Sequence, residues 1–259
     1  MRVLHTSDWH LGATIGGRKR YDEGEAFLSW LSGVIETEKA EVLIVAGDVF
    51  DSGTPSNRAL ELYYRFLGRM ARSSCRHIII TAGNHDSPSL LAAPRELLSA
   101  LSIHVIGSAT DEPSEQVFLL SDIAETPSLI VCAVPYLRDS DMRTSQPGEM
   151  IGEKNAHLIE GIRHHYQEVC NTALKMRERE GREIPIVATG HLFAAGGQST
   201  VDDGVRDRAI GNILQVGTDV FPACIDYLAL GHLHQPQLVG GRPDRRYCGA
   251  PLVMGFGES

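Results

Sequence analysis

Along most of the chain, short runs dense in β-branched residues alternate with stretches whose apolar positions recur every three or four residues. That is the pattern of a sheet covered by helices. Residues 2–7 read as the first strand. Phe27, Trp30, Leu31, Val34 and Ile35 then fall at helical spacing within a helix predicted over 22–38, its apolar side covering one sheet face. Residues 41–46 form an unbroken apolar run suited to a buried strand, which ends in Gly47-Asp48. Ser56 is placed to cap a helix over 57–72, where Leu60, Tyr63, Tyr64 and Leu67 make one stripe and Leu62, Phe66 and Met70 another. Two stripes mean either deep burial or a core face plus a partner face, and the second case would let this helix form a homodimer.

Residues 77–81 read as the third strand, running into Gly83-Asn84-His85-Asp86, and 89–101 as a helix. Further apolar runs at 103–106, 117–120 and 129–134 read as strands of a second sheet. Residues 139–155, rich in Asp, Ser, Gly and Pro, read as a mobile loop. A long helix follows, with Leu158, Ile162, Val169 and Ala173 inward, stopping near Gly181. Residues 184–188 form a strand delivering His191, and 192–221 a long polar stretch that carries Gly196, Gly197, Asp202 and Asp203. Residues 227–230 deliver His232 and His234, and 237–239 with 246–256 close the chain as paired strands. At 259 residues and without internal repeats, this is one α/β domain spanning 1–259.

Composition narrows the function. With 42% hydrophobic and 22% charged residues, the chain is that of a globular protein and excludes disorder as the main reading. The opening MRVLHTSDWHLG turns polar too soon for a signal peptide, and no apolar run reaches the roughly 18 residues of a membrane span. A cytoplasmic protein is expected. Its five cysteines, Cys75, Cys132, Cys170, Cys224 and Cys248, are widely spaced with no CxxC pair, so reduced thiols are the simple account. A formal net charge of -9 argues against holding nucleic acid by bulk electrostatics. DNA contact would be local, and Arg18, Lys19 and Arg20, after Gly16 and Gly17, form the one cluster suited to it; the alternative is a solvated loop.

Five separated places share one design, a strand and then a turn bearing residues able to ligate metal: Asp8-Trp9-His10, Gly47-Asp48, Gly83-Asn84-His85, Gly190-His191 and Gly231-His232-Leu233-His234. Such turns converge on one rim when they lie at the carboxyl ends of the strands of an open sheet. Residues two apart on an extended strand point the same way, so Asp8 with His10, and His232 with His234, could each reach one centre. Any one turn has an ordinary explanation. Asp48 or Asn84 could cap a turn, and a single His at a strand end is commonly a hydrogen-bonded surface residue. Five in one chain, in this order, are not ordinary.

The series DxH, GDxxD, GNHD, GH and GHxH resembles the calcineurin-like metallophosphoesterase superfamily, and every motif is present here, with Asp51 closing GDxxD. The longer strings HTSDWHLG, VAGDVFDSGTPS, AGNHDSP, ATGHL, ALGHLHQPQ and YCGAP resemble its SbcD nuclease branch, and the likeness runs the length of the chain. The resemblance implies a four-layer α/β/β/α sandwich with two mixed sheets. It implies an exonuclease on duplex ends and an endonuclease on single-stranded or hairpin DNA, the nuclease subunit of an SbcCD-type repair and recombination complex. Its partners would be DNA and an SbcC-type ATPase. SbcD-like chains carry a capping domain and an ATPase-docking segment beyond the nuclease domain, and both are expected to be missing from this sequence.

The resemblance also implies the site. Asp48 would bridge two divalent metals, with Asp8, His10 and His234 completing the first site and Asn84, His191 and His232 the second. Two cations about 3.5 to 4 Å apart can activate a water and clamp phosphate oxygens for in-line attack. Mixed N and O donors without thiolate, and the resemblance itself, point to Mn²⁺. His85 would overhang the metals, stabilising the transition state or protonating the leaving oxygen, with Asp51 orienting it. A small-substrate phosphodiesterase or phosphatase of the same superfamily is the alternative, since the metal motifs do not separate the two. A DNA-end-binding scaffold with a silent site is a third, against which the complete ligand set argues.

Overall fold

In the computed structural model, which describes residues 1–142, 150–194, 196 and 215–255, the chain folds as four layers. The first sheet has the order β1 (Val3–Thr6), β4 (Val42–Ala46), β5 (His77–Thr81), β6 (Ile103–Ile106), with every neighbouring pair parallel. Between β1 and β4 come a small hairpin, β2 (Thr14–Ile15) and β3 (Arg18–Lys19), and helix α1 (Tyr21–Glu38). Helix α2 (Asn57–Met70) crosses from β4 to β5, its first turn capped by Ser56, which accepts from the Ala59 amide at 3.3 Å. The second sheet has six strands in the order β11 (Gln237–Val239), β12 (Arg242–Tyr247), β10 (Tyr227–Gly231), β9 (Ile186–His191), β8 (Pro127–Cys132), β7 (Val117–Ser121). Its two outer pairings are antiparallel and its inner ones parallel.

The β alternation explains the layering. On β4, Val42 and Ile44 face the second sheet, where they meet Val131, Val187 and Ala229, while Leu43 and Val45 face α1 and α2. On β8 and β9, Ile130, Cys132, Ile186 and Ala188 face the long helix α6 (Ile151–Glu180), which buries Ile162, Tyr166, Val169 and Ala173 on them. Each fully buried Val, Leu or Ile contributes about 1.5–3 kcal/mol, so the three cores lock both sheets and their strand ends in register. The order is helix, sheet, sheet, helix.

Several elements differ from the sequence reading. The first sheet is wholly parallel rather than mixed, and 103–106 belongs to it rather than to the second sheet. The helix expected over 89–101 is two short ones, α3 (Pro88–Ala92) and α4 (Arg95–Ser99), because Pro94 has no N–H to donate and leaves the helical region. Trp30, expected inward, is 63% exposed. In α2 the two stripes merge into one buried face of Leu62, Tyr63, Phe66, Leu67 and Met70, which leaves only Leu60 and Tyr64 toward the surface. The expected loop over 139–155 begins as a one-turn helix, α5 (Asp139–Met142), and α6 has begun by Ile151. The last strand lies at Arg242–Tyr247, not 246–256, because Gly240 and Gly241 at positive φ make the turn that pairs it with β11. Gly197, Asp202 and Asp203 of the long polar stretch lie outside the described residues, as does 257–259. All five cysteines are free. No described helix is long and apolar enough to cross a membrane.

Candidate metal centre

The carboxyl ends of β1, β4 and β5 in one sheet and of β9 and β10 in the other meet at one rim. They bring the five turns together. At its first focus the Nε2 atoms of His10 and His234 are 3.3 Å apart, with Asp48 Oδ2 at 3.7 Å from His10 Nε2. At the second, His191 Nε2 lies 3.2 Å from Asp48 Oδ2 and 3.0 Å from Asn84 Oδ1, and His232 Nδ1 lies 3.2 Å from the same Asn84 oxygen. Asp48 is common to both. Asp8, whose carboxylate accepts from Ser7 Oγ and from the His232 amide, groups with His10 and His234 and also with Asp48 and His191. Asp8, His10, Asp48, His191, His232 and His234 are all buried.

The backbone at this rim is strained. Asp8, His10, Asp48 and His232 sit at φ of 53°, 43°, 51° and 99°, a region costly for residues with a side chain and found where the surroundings over-determine the geometry. The expected reason for pairing Asp8 with His10, alternation along an extended strand, is therefore not the operative one. Left-handed turns past the strand ends aim these side chains, and His232 and His234 diverge to opposite foci. Glycine is required beside them: Gly47 has φ of 89°, and a Cβ at Gly83 would collide with the Asp48 carboxylate.

The donor chemistry fits divalent cations. His191 Nδ1 donates to the Ala46 carbonyl at 2.9 Å, which turns the Nε2 lone pair toward Asp48 and Asn84, both presenting oxygen. Burial depresses the His10 imidazole well below its usual range and, with His191 nearby, takes His232 to about 3, so both are neutral donors. Burial alone would depress His191 too, but the Asp48 carboxylate, as charge and as acceptor, raises it to about 9. The pair draws in positive charge. Lone pairs of His10 and His234 facing each other at 3.3 Å repel unless a shared proton or cation lies between them.

His85 overlaps the rim without joining either focus: its amide donates to Asp48 Oδ1 at 2.8 Å, and its ring stands edge-on to His10 at 4.8 Å. Its Nδ1 lies 2.9 Å from the main-chain carbonyl of Asp51, which can only accept, so the proton is on Nδ1 and Nε2 is the working atom. This corrects the expected role of Asp51, since the residue holds His85 through its backbone, while its carboxylate lies 3.8 Å from His10 Nδ1. A third grouping, His10 with Asp51 and His85, also meets metal-ligand spacing. Of the basic cluster, Arg20 is engaged by Glu23 and the Val253 carbonyl, which leaves Arg18 and Lys19 exposed on the β2–β3 hairpin.

One residue of the five motifs has no role in the sequence reading. Asp86 is buried and its carboxylate accepts from the amides of Gly83 at 2.9 Å, Val49 at 3.1 Å and Phe50 at 2.9 Å, stitching the turn after β5 to the turn after β4. Its place at the end of GNHD is the signal that could have found it. Asp86→Ala strands three buried N–H groups, each costing about 1–3 kcal/mol, so we expect a loss of about 3 kcal/mol or more in urea denaturation. Asp86→Asn, which keeps one acceptor, should recover part of it.

The sequence matches the family model described as calcineurin-like phosphoesterase over residues 1–236. It is 40% identical over 258 residues to the SbcD subunit of the SbcCD nuclease of Escherichia coli (strain K12), covering 100% of this chain and 62% of that protein. The corresponding SbcCD nuclease subunits of Rhodobacter capsulatus and Bacillus subtilis are 37% and 34% identical, each over 265 residues, covering 100% of this chain and 64% and 63% of theirs. The chain thus spans less than two thirds of the length of these relatives. With the match covering most of its length and the motif turns gathered at one rim, the chain belongs to the calcineurin-like phosphoesterase family, whose members use divalent metals.

Proposed function

We propose that the chain is the catalytic part of an SbcCD-type DNA nuclease that hydrolyses phosphodiester bonds with two divalent cations, Mn²⁺ foremost. The observation that carries this reading is a single buried carboxylate, Asp48, shared by two adjacent sets of neutral N and O donors, with a non-joining histidine beside it. Asp8, His10, Asp48 and His234 would hold one cation, and Asp48, Asn84, His191 and His232 the other. Bound there, the cations supply charge for the phosphate oxygens and an activated water. His85, locked by the Asp51 carbonyl, presents Nε2 to hold a proton for the leaving oxygen. The names of the three relatives support DNA as substrate and an SbcC-type ATPase as partner. Arg18 and Lys19 are exposed cations on a hairpin that follows directly on the first metal turn, suited to a DNA backbone.

A side-by-side assay tests the substrate: linear duplex, hairpin and single-stranded DNA, cyclic AMP and p-nitrophenyl phosphate, each with Mn²⁺. We expect cleavage of DNA, single strands ahead of duplex ends in the isolated chain. Turnover of the small esters alone would overturn the nuclease reading. A homodimer through α2 would have little beyond Leu60 and Tyr64 to bury, and light scattering decides it.

A further inference from the structure

Beside the Asn84 and His191 half of the rim stands a cation that no metal motif includes. After β8 the chain passes directly under the turn bearing Asn84 and His85, where the Tyr136 amide donates to the Ala82 carbonyl at 2.8 Å. Two residues on, Arg138 Nη2 donates to the main-chain carbonyl of Asp86, next in sequence to His85, at 3.2 Å. The guanidinium lies 5.7 Å over the Tyr136 ring, and that ring is edge-on to His191 at 6.3 Å. The head group is thus fixed twice, by a hydrogen bond and by a ring, at the edge of the metal rim.

Among the described residues it lacks a counter-ion. Arg138 Nη1 is buried with no hydrogen-bond partner, and no described carboxylate comes within ion-pair distance of the side chain. A buried guanidinium N–H left unmade is costly and uncommon, and the surrounding contacts hold it in place rather than relieve it. Its planar fork matches phosphate oxygens. The chain carries a net charge of -9, so a polyanionic strand reaching this rim needs local cations, and Arg18 and Lys19 sit on a different element, after β1.

We propose that Arg138 grips, through Nη1, a phosphate of the substrate strand that neighbours the reacting one, setting the strand's register across the metal centre. This rests on the phosphodiesterase reading above. It implies that Arg138 matters for substrates with more than one phosphate and not for a minimal diester.

The test compares wild type with Arg138→Met and Arg138→Lys on a single-stranded 12-mer and on bis-p-nitrophenyl phosphate, with Mn²⁺, alongside thermal melts. We expect Arg138→Met to raise KM for the 12-mer about 10- to 30-fold, with kcat within about twofold, and to reduce the salt slope of binding by about one. Turnover of the small diester should stay within about twofold, and Arg138→Lys should fall between. Equal losses on both substrates with an unchanged melt would place Arg138 on the reacting phosphate and overturn the assignment. Equal losses with a lowered melt in both variants would make it structural, which also overturns it. Anisotropy of the 12-mer in EDTA separates the two claims: if wild type binds DNA but cleaves neither substrate, the phosphodiesterase reading fails, while weaker binding by Arg138→Met still supports the grip.

Discussion

Replacing His85 with alanine is expected to lower DNA cleavage by about 10²- to 10⁴-fold, the range ascribed to a positioned proton donor or acceptor, while both cations still bind. The expectation follows from where His85 stands. Its ring lies edge-on to His10 at 4.8 Å, its Nδ1 proton is committed to the Asp51 carbonyl, and neither focus includes its ring nitrogens except the grouping with His10 and Asp51. Removing the imidazole leaves the amide bond from residue 85 to Asp48 Oδ1 intact, so the shared carboxylate keeps its orientation. Isothermal calorimetry with Mn²⁺ is the check. If His85→Ala loses a cation, the histidine is a ligand and the proton-transfer role falls. A pH–rate profile adds a second reading, because loss of a titrating donor removes one limb whereas loss of metal lowers the whole curve.

Asp48→Asn should do the reverse, removing metal and activity together. Asparagine keeps the size and one acceptor oxygen, so the His85 amide stays bonded and the fold should survive. The charge that faces His10 at 3.7 Å and His191 at 3.2 Å is gone. Both foci lose their shared anion at once. A lost contribution of several kcal/mol at the transition state corresponds to a fall of about 10³-fold or more in cleavage. Metal content measured by mass spectrometry after gel filtration should drop for both cations rather than one. Retention of two cations at wild-type affinity would sink the shared role of Asp48. The two variants differ in kind, and measuring cation content on both separates chemistry from assembly.

Much of this is legible in the linear sequence. The apolar runs at 41–46 and 77–81 and the period of the helix ending at Gly181 identify their elements because burial on one or both faces leaves a periodic record. The five turn motifs identify the side chains gathered at the rim, since metal ligation restricts residue types and a tight turn restricts spacing. Other features are not legible. Pro94 is plain in the sequence, yet the apolar stripe across it reads as one helix. The partner of 103–106 is open, because an apolar strand fits either sheet until its neighbour is known. The stripes of α2 merge because the helix lies deep between α1 and the sheet, which period alone does not reveal.

At the centre itself, sequence determined which residue types are available and that they follow strands. It did not determine how they are aimed. The left-handed φ at Asp8, His10, Asp48 and His232, and the divergence of His232 from His234, depend on two sheets packed so that their carboxyl ends meet. The partners of Asp86 and Arg138 lie on other strands' turns, as does the link from Asp51 to His85. Local chemistry is written in neighbouring residues, because backbone preference and ligand type are properties of a few consecutive atoms. Distances between turns far apart in the chain arise only when three hydrophobic cores fix the sheets against each other, and no local pattern carries that information.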